Sequence, residues 1–269
     1  MRRALRPETV RAHFSARGTV SRWWNPESGP LRFHYEAEIR VLEERLCLPA
    51  GAEILDLGTG RGRFGLRMAS HGHSVVAVDL NPEMLQEARA RAEALGLTER
   101  FSVVEAAAEN LSTLADRAFD AVLCMELFDH LPHLPPVLAE VRRVLRPRGR
   151  FAFTWVPNES AYGALGNLQR WWLRRRGRED AILSRTYSAS EIRQAVEGAG
   201  FRIEGLFGVG LLCFNAQTRV RLPRVLDSTL RAVARAEAAW RPYHARPSVA
   251  RRCAHAVGIA VVDGERART

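Results

Sequence analysis

The sequence predicts an α/β fold built around a mostly parallel sheet. Three observations indicate this class. From residue 50 onward, short runs rich in β-branched residues alternate with helical patterns. A glycine-rich turn follows the first of these runs, and the length of 269 residues suits one large domain with additions or two small domains. At 46% apolar and 26% charged residues, the composition excludes collagen-like, disulfide-scaffold and wholly disordered chains.

Seven segments have the pattern of buried strands. Each is short, apolar and bounded by turn residues, as expected when helices cover both faces of a parallel sheet. The strands are predicted at 52–58, 74–80, 101–106, 119–125, 149–156, near 201–207 and at 253–262.

Helical patterns occupy the intervals between these strands. The clearest helix begins at Pro82 and ends at Gly96, residue types that favour those two ends. Further amphipathic helices are predicted over 138–149 and 188–200, and a helical pattern runs through the region of Leu226 to Trp240.

Two regions interrupt the alternation of strands and helices. The N-terminal segment 1–49 has helical patterns around a turn-rich aromatic stretch, and the insertion 157–186 lies between the fifth strand and the next helix. We expect both to form a helical cap on a main domain of residues 50–269.

Charge and cysteine content limit the partners and the compartment. Arginine supplies all 40 basic residues and the net charge is +10, but residues 50–141 carry 14 acids against 7 arginines whereas residues 142–193 carry 12 arginines against 4 acids. This asymmetry indicates an anionic partner on the basic side. The cysteines occur without a CxxC pair, which is typical of reduced thiols in the cytoplasm. They are Cys47, Cys124, Cys213 and Cys253.

Neither the apolar runs nor the start of the chain indicates insertion in a membrane. No apolar run approaches the ~20 residues of a transmembrane helix. The start of the chain is basic but lacks the apolar segment of a secretory signal, which again favours the cytoplasm.

The strongest motif is ILDLGTGRGRFG at residues 54–65. Glycines after a strand let the backbone turn tightly and approach a ligand, and the following helix directs backbone N–H groups toward it. Asp79, 21 residues after Gly58, ends the second strand, where a carboxylate can accept both hydroxyls of a ribose.

Two features disfavour a dinucleotide at this turn. Counting from Gly58, the third glycine of the G-x-G-x-x-G pattern is replaced by Arg63. Asp56 precedes the turn, where its charge would repel a pyrophosphate but attract an ammonium or sulfonium. These residues favour S-adenosylmethionine as the cofactor.

On these motifs, residues 50–156 resemble class I S-adenosylmethionine-dependent methyltransferases. The resemblance is strongest to the group that includes the ubiquinone and menaquinone biosynthesis methyltransferases. It implies a Rossmann-like seven-stranded sheet sandwiched by helices. Four ordered segments carry it: ILDLGTGRG, VVAVDLNPEML, FDAVLCMELFDHL and VRRVLRPRGRFAFTW.

The resemblance assigns roles around the methionine and ribose parts of the cofactor. Gly58 and Gly60, with Thr59 between them, would face the methionine moiety, and Asp56 would hold its amino group. Asp79 would bind the ribose.

The adenine end departs from the family pattern. Leu80 and Met84 would flank the ring, and Cys124 would lie beneath the bound cofactor as a buried filler rather than a nucleophile. The acid that relatives often place after the third strand is Ala107 here. Recognition of the adenine amine is therefore expected from backbone near Ala108 or from Glu109.

The segment MELFDHLPH, residues 125–133, supplies candidates for proton transfer. His130 could remove a phenol or enol proton, or it could simply pack beneath the cap. The E-x-x-D-H spacing of Glu126, Asp129 and His130 also resembles a metal-binding pattern of some relatives. After His133 no further histidine occurs until His244 to complete such a site, so no metal is predicted.

The acceptor is expected to be a small apolar or anionic molecule. Neither an N/D-P-P-Y/F motif nor a paired-glutamate loop is present, which disfavours methylation of nucleic acid bases and of arginine. Methylation at oxygen is favoured. The alternatives are N- or C-methylation of a lipid, quinone or natural product, and a cofactor-binding protein without catalysis.

Tryptophans and arginines in the insertion allow two interpretations. Trp171 and Trp172, followed by Arg174–Arg176, could bury their rings over the acceptor pocket, which we favour, or could contact a membrane surface. The acceptor pocket is expected to draw on aromatic residues: Trp23, Trp24, Phe33, Tyr35, Trp155 and Tyr162.

Overall fold

The computed structural model describes residues 32–131, 133–178, 185–211 and 224–263. The strands are β1 (Glu53–Leu57), β2 (Ser74–Asp79), β3 (Phe101–Glu105), β4 (Phe119–Cys124), β5 (Leu145–Trp155), β6 (Phe201–Val209) and β7 (His255–Val262). The α-helices are α1 (Arg32–Arg45), α2 (Arg63–Ser70), α3 (Pro82–Ala94), α4 (Leu134–Val144), α5 (Ala161–Arg175), α6 (Ala189–Gly198), α7 (Arg224–Trp240) and α8 (Pro247–Ala250). None of the described helices is long and apolar enough to cross a membrane.

The seven strands form one sheet in the order β3-β2-β1-β4-β5-β7-β6. This confirms the α/β class and the Rossmann-like seven-stranded sheet. β1 pairs in parallel with β2 on one side and with β4 on the other. The strand order therefore reverses at this point: β2 and β3 lie on one side of β1, and β4 and the later strands lie on the other side. Such a reversal opens a crevice at the carboxyl ends of the strands, where ligands of α/β proteins bind.

The strands and helices on either side of this crevice form where the sequence predicts them, with one exception. The predicted helix over 138–149 is wrong at its end, because α4 stops at Val144 and β5 already begins at Leu145. Leu145 pairs with Phe119, and the next pair in register is Ala121 with Arg150, so the intervening residues of β5 bulge out of the ladder. Pairing with β4 thus overrides a local pattern that looked like the end of a helix.

Two compact units divide the described residues. The sheet unit comprises residues 46–131, 133–154, 190–204 and 258–263, and the helical unit comprises residues 32–45, 155–178, 185–189, 205–211 and 224–257. The boundaries predicted from the sequence, with a cap of 1–49 and 157–186 on a domain of 50–269, stay a prediction.

Apolar packing in the sheet unit holds β4, β5 and the segment after β4 together. Phe128, Phe151 and Phe153 are fully buried, and their ring centroids lie 4.9 to 6.2 Å apart. Phe201 joins this cluster 5.1 Å from Phe151. Close-packed aromatic rings of this kind stabilise the carboxyl-end side of the sheet.

Candidate functional site

The turn after β1 has the backbone geometry that only glycine adopts readily. Gly58, Gly60 and Gly62 have φ angles of 74°, 53° and 78°, in the left-handed region. A Cβ at Gly58 would lie 2.9 Å from the Leu127 side chain, whereas a Cβ at Gly60 would meet nothing within 4 Å. The turn is therefore closely packed at Gly58 and open at Gly60, where a ligand has room to approach.

Several backbone N–H groups of this turn donate hydrogen bonds within the chain. Gly58 and Thr59 both donate to the carbonyl oxygen of Val78, at 2.8 and 2.9 Å, which ties the turn to the end of β2. Gly62 donates to the carbonyl oxygen of Thr59 at 2.9 Å. The turn is thus preorganised without a ligand.

Asp56 anchors the turn from the end of β1. Its side chain is buried, and its Oδ2 accepts hydrogen bonds from the Thr59 hydroxyl at 2.6 Å and from the Gly65 N–H at 2.9 Å. Gly65 is the third residue of α2, so Asp56 caps that helix across the turn. Among the described residues none donates a hydrogen bond to Oδ1, which remains able to accept one from a ligand.

Burial changes the titration of two groups beside the turn. It raises the pKa of Asp56 to about 6, against the effect of its two hydrogen bonds. Burial also raises the pKa of the fully buried Cys124 thiol, and the charge of Asp56 adds to that effect. Cys124 therefore stays protonated near neutral pH, as expected of a buried filler rather than a nucleophile.

Asp79 is the second carboxylate that holds the turn. Its Oδ2 accepts from the Gly60 N–H at 2.8 Å and its Oδ1 accepts from the Asn81 N–H at 2.9 Å, with the Leu80 N–H as a further donor. Burial raises its pKa, and these donors oppose the rise. Asp79 is not the N-cap of α3, because the Asn81 side chain caps that helix by accepting from Glu83 N–H. Each carboxylate oxygen has two lone pairs, so Asp79 can still accept ribose hydroxyls.

Residues predicted to contact adenine lie on both sides of Asp79. Leu80 is half-buried directly after β2, and Met84 is buried in the first turn of α3. β3 pairs its Glu105 with Asp79 and leads into a turn in which the Asn110 N–H donates to the carbonyl oxygen of Ala107. Ala108 is half-buried in this turn and Glu109 is exposed. The predicted roles of these residues toward adenine stay predictions.

The donors and acceptors at the turn fit a cationic ligand better than a pyrophosphate. A pyrophosphate needs unoccupied backbone N–H groups, but those of Gly60 and Gly65 already donate to Asp79 and Asp56. The two carboxylates interact with each other electrostatically. A ligand with an ammonium and a sulfonium relieves this repulsion, whereas an anion increases it. The residues present therefore fit S-adenosylmethionine.

The segment after β4 places His130 at the same edge of the sheet. Glu126 has a φ of 58° and its N–H donates to the Thr154 hydroxyl at 2.6 Å, so the chain turns sharply here. A short 3-10 turn, Phe128–His130, follows. The backbone N–H of His130 donates to the carbonyl oxygen of Leu127 at 2.9 Å. The His130 side chain is half-buried.

The metal-binding alternative at this segment stays a hypothesis. Within the described residues, Glu126, Asp129 and His130 do not together form a group of three with neighbouring ligand atoms. His133 is exposed and begins α4 as its N-cap residue.

The helical unit contains a histidine that sequence reasoning missed. The His255 imidazole Nδ1 lies 2.9 Å from Oε1 of Glu38, and both side chains are buried. The His34 and Tyr162 rings lie 5.5 and 6.3 Å from the His255 ring. A carboxylate bonded to one ring nitrogen fixes the orientation of the imidazole. No local pattern could show this pair, because its members are 217 residues apart in the sequence.

The predicted aromatic residues differ in burial. Tyr35 and Trp155 are buried and Tyr162 is half-buried, all within the helical unit, while Phe33 lies on α1. Trp23 and Trp24 lie outside the described residues. The favoured interpretation of the insertion is wrong in one respect: Trp171 and Trp172 do not bury their rings but are 49% and 45% exposed.

The part of the chain that carries the turn is similar to methyltransferase domains. Residues 55–153 match the family model described as "Methyltransferase domain". A curated relative is the ubiquinone biosynthesis O-methyltransferase of Xanthomonas axonopodis pv. citri, 31% identical over 148 residues, which are 54% of this chain and 61% of the relative. The chain thus spans less than two thirds of the length of the curated relative that it matches.

Solved structures show the same fold over most of the chain. A SAM-dependent methyltransferase from Thermotoga maritima has a TM-score of 0.60 and 20% identity, covering 87% of this chain and 91% of the other. The [4+2]-cyclase SpnF has a TM-score of 0.59 and 22% identity, covering 90% of this chain and 86% of the other. Both show the fold alone, and the second shows that this fold also occurs in a protein named for other chemistry.

Proposed function

We propose that this protein is an S-adenosylmethionine-dependent methyltransferase that methylates a small apolar or anionic acceptor at oxygen. The observation that carries the proposal is the pair of carboxylates at the glycine turn. Asp56 and Asp79 accept from two backbone N–H groups that a pyrophosphate could otherwise use, and they concentrate negative charge where a sulfonium ligand would lie. The oxygen preference rests on the similarity to a ubiquinone biosynthesis O-methyltransferase.

The residues of the turn would bind and orient the cofactor. Asp56 would accept a hydrogen bond from the ammonium group through Oδ1, and Asp79 would accept those of the ribose hydroxyls. When bound, S-adenosylmethionine supplies a methyl group on a positively charged sulfur, which is open to in-line attack by a nucleophile. Because this reaction depends mainly on alignment, few residues need to take part in the chemistry.

An oxygen acceptor also needs a group that removes its proton. His130 is the candidate, because it follows β4 at the carboxyl edge of the sheet. It would act as a neutral imidazole that accepts a proton from a phenol or enol.

Two other functions have less support than O-methylation. N- or C-methylation of a lipid, quinone or natural product would use the same turn but need no strong base. A cofactor-binding protein without methyl transfer also fits the fold, since SpnF shares it.

We place the protein in the cytoplasm, because Cys47, Cys124 and Cys253 are free thiols, as is usual in a reducing compartment.

The proposal is tested by following release of S-adenosylhomocysteine from the full chain with a panel of phenolic, enolic and amine acceptors. Turnover with a phenol or enol supports O-methylation. If the cofactor binds but no phenol, enol, amine or carbon acid is methylated, the result supports the non-catalytic alternative.

Single variants identify the proton acceptor. Replacing the true base by glutamine should lower kcat by about two to four powers of ten and leave cofactor affinity unchanged. His130→Gln is compared with His133→Gln, a change at an exposed histidine three residues from His130. The pH dependence of kcat on the acidic side should disappear in the variant that lacks the base. Normal kcat in His130→Gln would contradict His130 as the base.

A further inference from the structure

Arg61 lies in the middle of the glycine turn, between Gly60 and Gly62, and both glycines have positive φ angles. Two residues of α3 bind it. The Glu87 carboxylate pairs with its guanidinium, with Oε2 2.7 Å from Nε and Oε1 accepting from Nη2 at 3.2 Å. The Arg91 side chain donates from Nη1 to the carbonyl oxygen of Arg61 at 3.0 Å. Helix α3 therefore holds both the side chain and the main chain of this residue.

The two contacts differ in strength. The side chains of Arg61 and Glu87 are 26% and 47% exposed, and ion pairs that are open to water in this way contribute little. Arg91 is half-buried, and its donor is a charged group that bonds to a peptide carbonyl. Such charge-assisted hydrogen bonds are stronger than those between neutral groups. Of the two contacts, the bond from Arg91 therefore contributes more.

This bond restrains the part of the turn that is open to a ligand. The Arg61 carbonyl belongs to the peptide group whose N–H, at Gly62, bonds back into the turn at 2.9 Å. On the other side of Arg61, the Gly60 N–H donates to Asp79 at 2.8 Å. Because glycine has wide backbone freedom, the turn keeps one conformation only while neighbouring groups hold it. Arg91 supplies this restraint from α3, and Asp79 supplies it from β2.

Helix α3 also carries a residue that is predicted to contact adenine. Met84, Glu87 and Arg91 are spaced by three and four residues, which places them along one side of the helix. Met84 is buried in the first turn of the helix. All of these residues belong to the sheet unit. One helix thus connects the adenine end of the site with the turn at its methionine end.

We propose that Arg91 is a positioning residue for the methionine part of S-adenosylmethionine. Through the Arg61 carbonyl it would hold the glycine turn in the conformation that this part of the cofactor meets, without touching the reacting methyl group. The inference rests on the proposed function, because it concerns the same site. A purely structural arginine would affect all ligands of the site alike, whereas a positioning residue affects only those ligands that reach the turn.

The test compares the binding of three ligands to the full chain by calorimetry. S-adenosylmethionine and S-adenosylhomocysteine contain the amino acid part, whereas 5′-methylthioadenosine keeps the adenosine and the sulfur but lacks that part. In Arg91→Ala we expect the affinity for the first two ligands to fall about tenfold, because a charged hydrogen bond that orders the turn is lost. The affinity for 5′-methylthioadenosine should change by less than about twofold.

Three further variants separate positioning from other effects. Arg89→Ala removes an exposed arginine from the same helix and should bind all three ligands like the unaltered chain. Arg91→Lys keeps a charged donor and should recover most of the affinity that Arg91→Ala loses. Glu87→Gln breaks only the exposed ion pair and should lower the affinity for S-adenosylmethionine by about twofold or less. Alanine is a strong helix former, so both alanine variants should keep α3 intact.

Hydrogen exchange followed by NMR measures the order of the turn without any ligand. The amides of Gly60 and Gly62 should exchange about tenfold faster in Arg91→Ala than in the unaltered chain. Those of β1 should exchange at the same rate in both proteins, which also shows that the variant folds.

Equal losses of affinity for all three ligands in Arg91→Ala would indicate a purely structural role and overturn the inference. Unchanged affinity for S-adenosylmethionine in this variant, or equal affinities in Arg91→Ala and Arg91→Lys, would contradict it as well. These results leave the proposed reaction intact, because the unaltered chain still binds the cofactor. An unaltered chain that binds neither S-adenosylmethionine nor S-adenosylhomocysteine would instead contradict the proposed function, and this inference with it.

Discussion

Replacing Asp56 by asparagine should change how the stability of this protein depends on pH. The carboxyl group has a pKa of about 6 in the folded protein against 3.8 as an ordinary value. Below pH 3.8 the group is protonated in both the folded and unfolded states, so it has no effect on the balance. Between pH 3.8 and about 6 the group is ionised in the unfolded state but still protonated in the folded state. The free energy of unfolding therefore falls by about 3 kcal/mol over this range.

Asparagine keeps the local hydrogen bonds but not this titration. Its amide oxygen can still accept from the Thr59 hydroxyl and the Gly65 N–H that now donate to Oδ2. We therefore expect the free energy of unfolding of Asp56→Asn, relative to the unaltered protein, to increase by about 3 kcal/mol between pH 4 and pH 8. The change should be concentrated between pH 4 and 6.

Urea denaturation of both proteins at a series of pH values measures this difference directly. Other titrating groups, such as Glu140 with its lowered pKa, are common to the two proteins and cancel in the comparison. The reasoning would be refuted if this difference in the free energy of unfolding stayed constant to within about 0.5 kcal/mol over this range. It would also be refuted if the variant became less stable relative to the unaltered protein as the pH rises. Calorimetry adds a second measurement: cofactor affinity should fall as the pH drops through about 6 in the unaltered protein only.

Two further substitutions test the turn itself. Asp79→Ala removes a charged acceptor and should weaken binding of S-adenosylmethionine about ten- to a hundredfold by calorimetry, whereas Glu93→Ala, an exposed acid on α3, should not; equal affinities for both would exclude the ribose role. Gly65→Ala would place a Cβ 2.7 Å from Oδ2 of Asp56 and should lower the free energy of unfolding by about 1–3 kcal/mol. Gly198→Ala, where a Cβ meets nothing within 4 Å, is its control and should not destabilise the protein.

The glycine turn and its two carboxylates could be predicted because the information is local. A strand, a turn and a helix follow one another at 54–65, and the positive φ of Gly58 and Gly60 requires the residue type that the motif shows. The hydrogen bonds could not be predicted from the motif. Asp56 caps α2, and Asp79 binds the Gly60 N–H, so two residues interpreted as ligand contacts also build the turn.

Local patterns were least informative where two interpretations share one periodicity. The stretch after Val144 has residues typical of a helix end, yet pairing of Leu145 with Phe119 makes it part of β5. On α5, the spacing of the tryptophans shows that they share a face but not whether that face turns inward. The tight contact of Gly163 with Pro157 determines the outcome.

The sequence by itself determined the order of strands and helices, the glycine turn and the charge that favours a sulfonium cofactor, because each of these depends on neighbouring residues. Only the tertiary structure decided which distant groups meet. The bond between Glu38 and His255 and the outward face of α5 depend on how helices and strands pack, and packing energy is set by contacts between segments far apart in the chain.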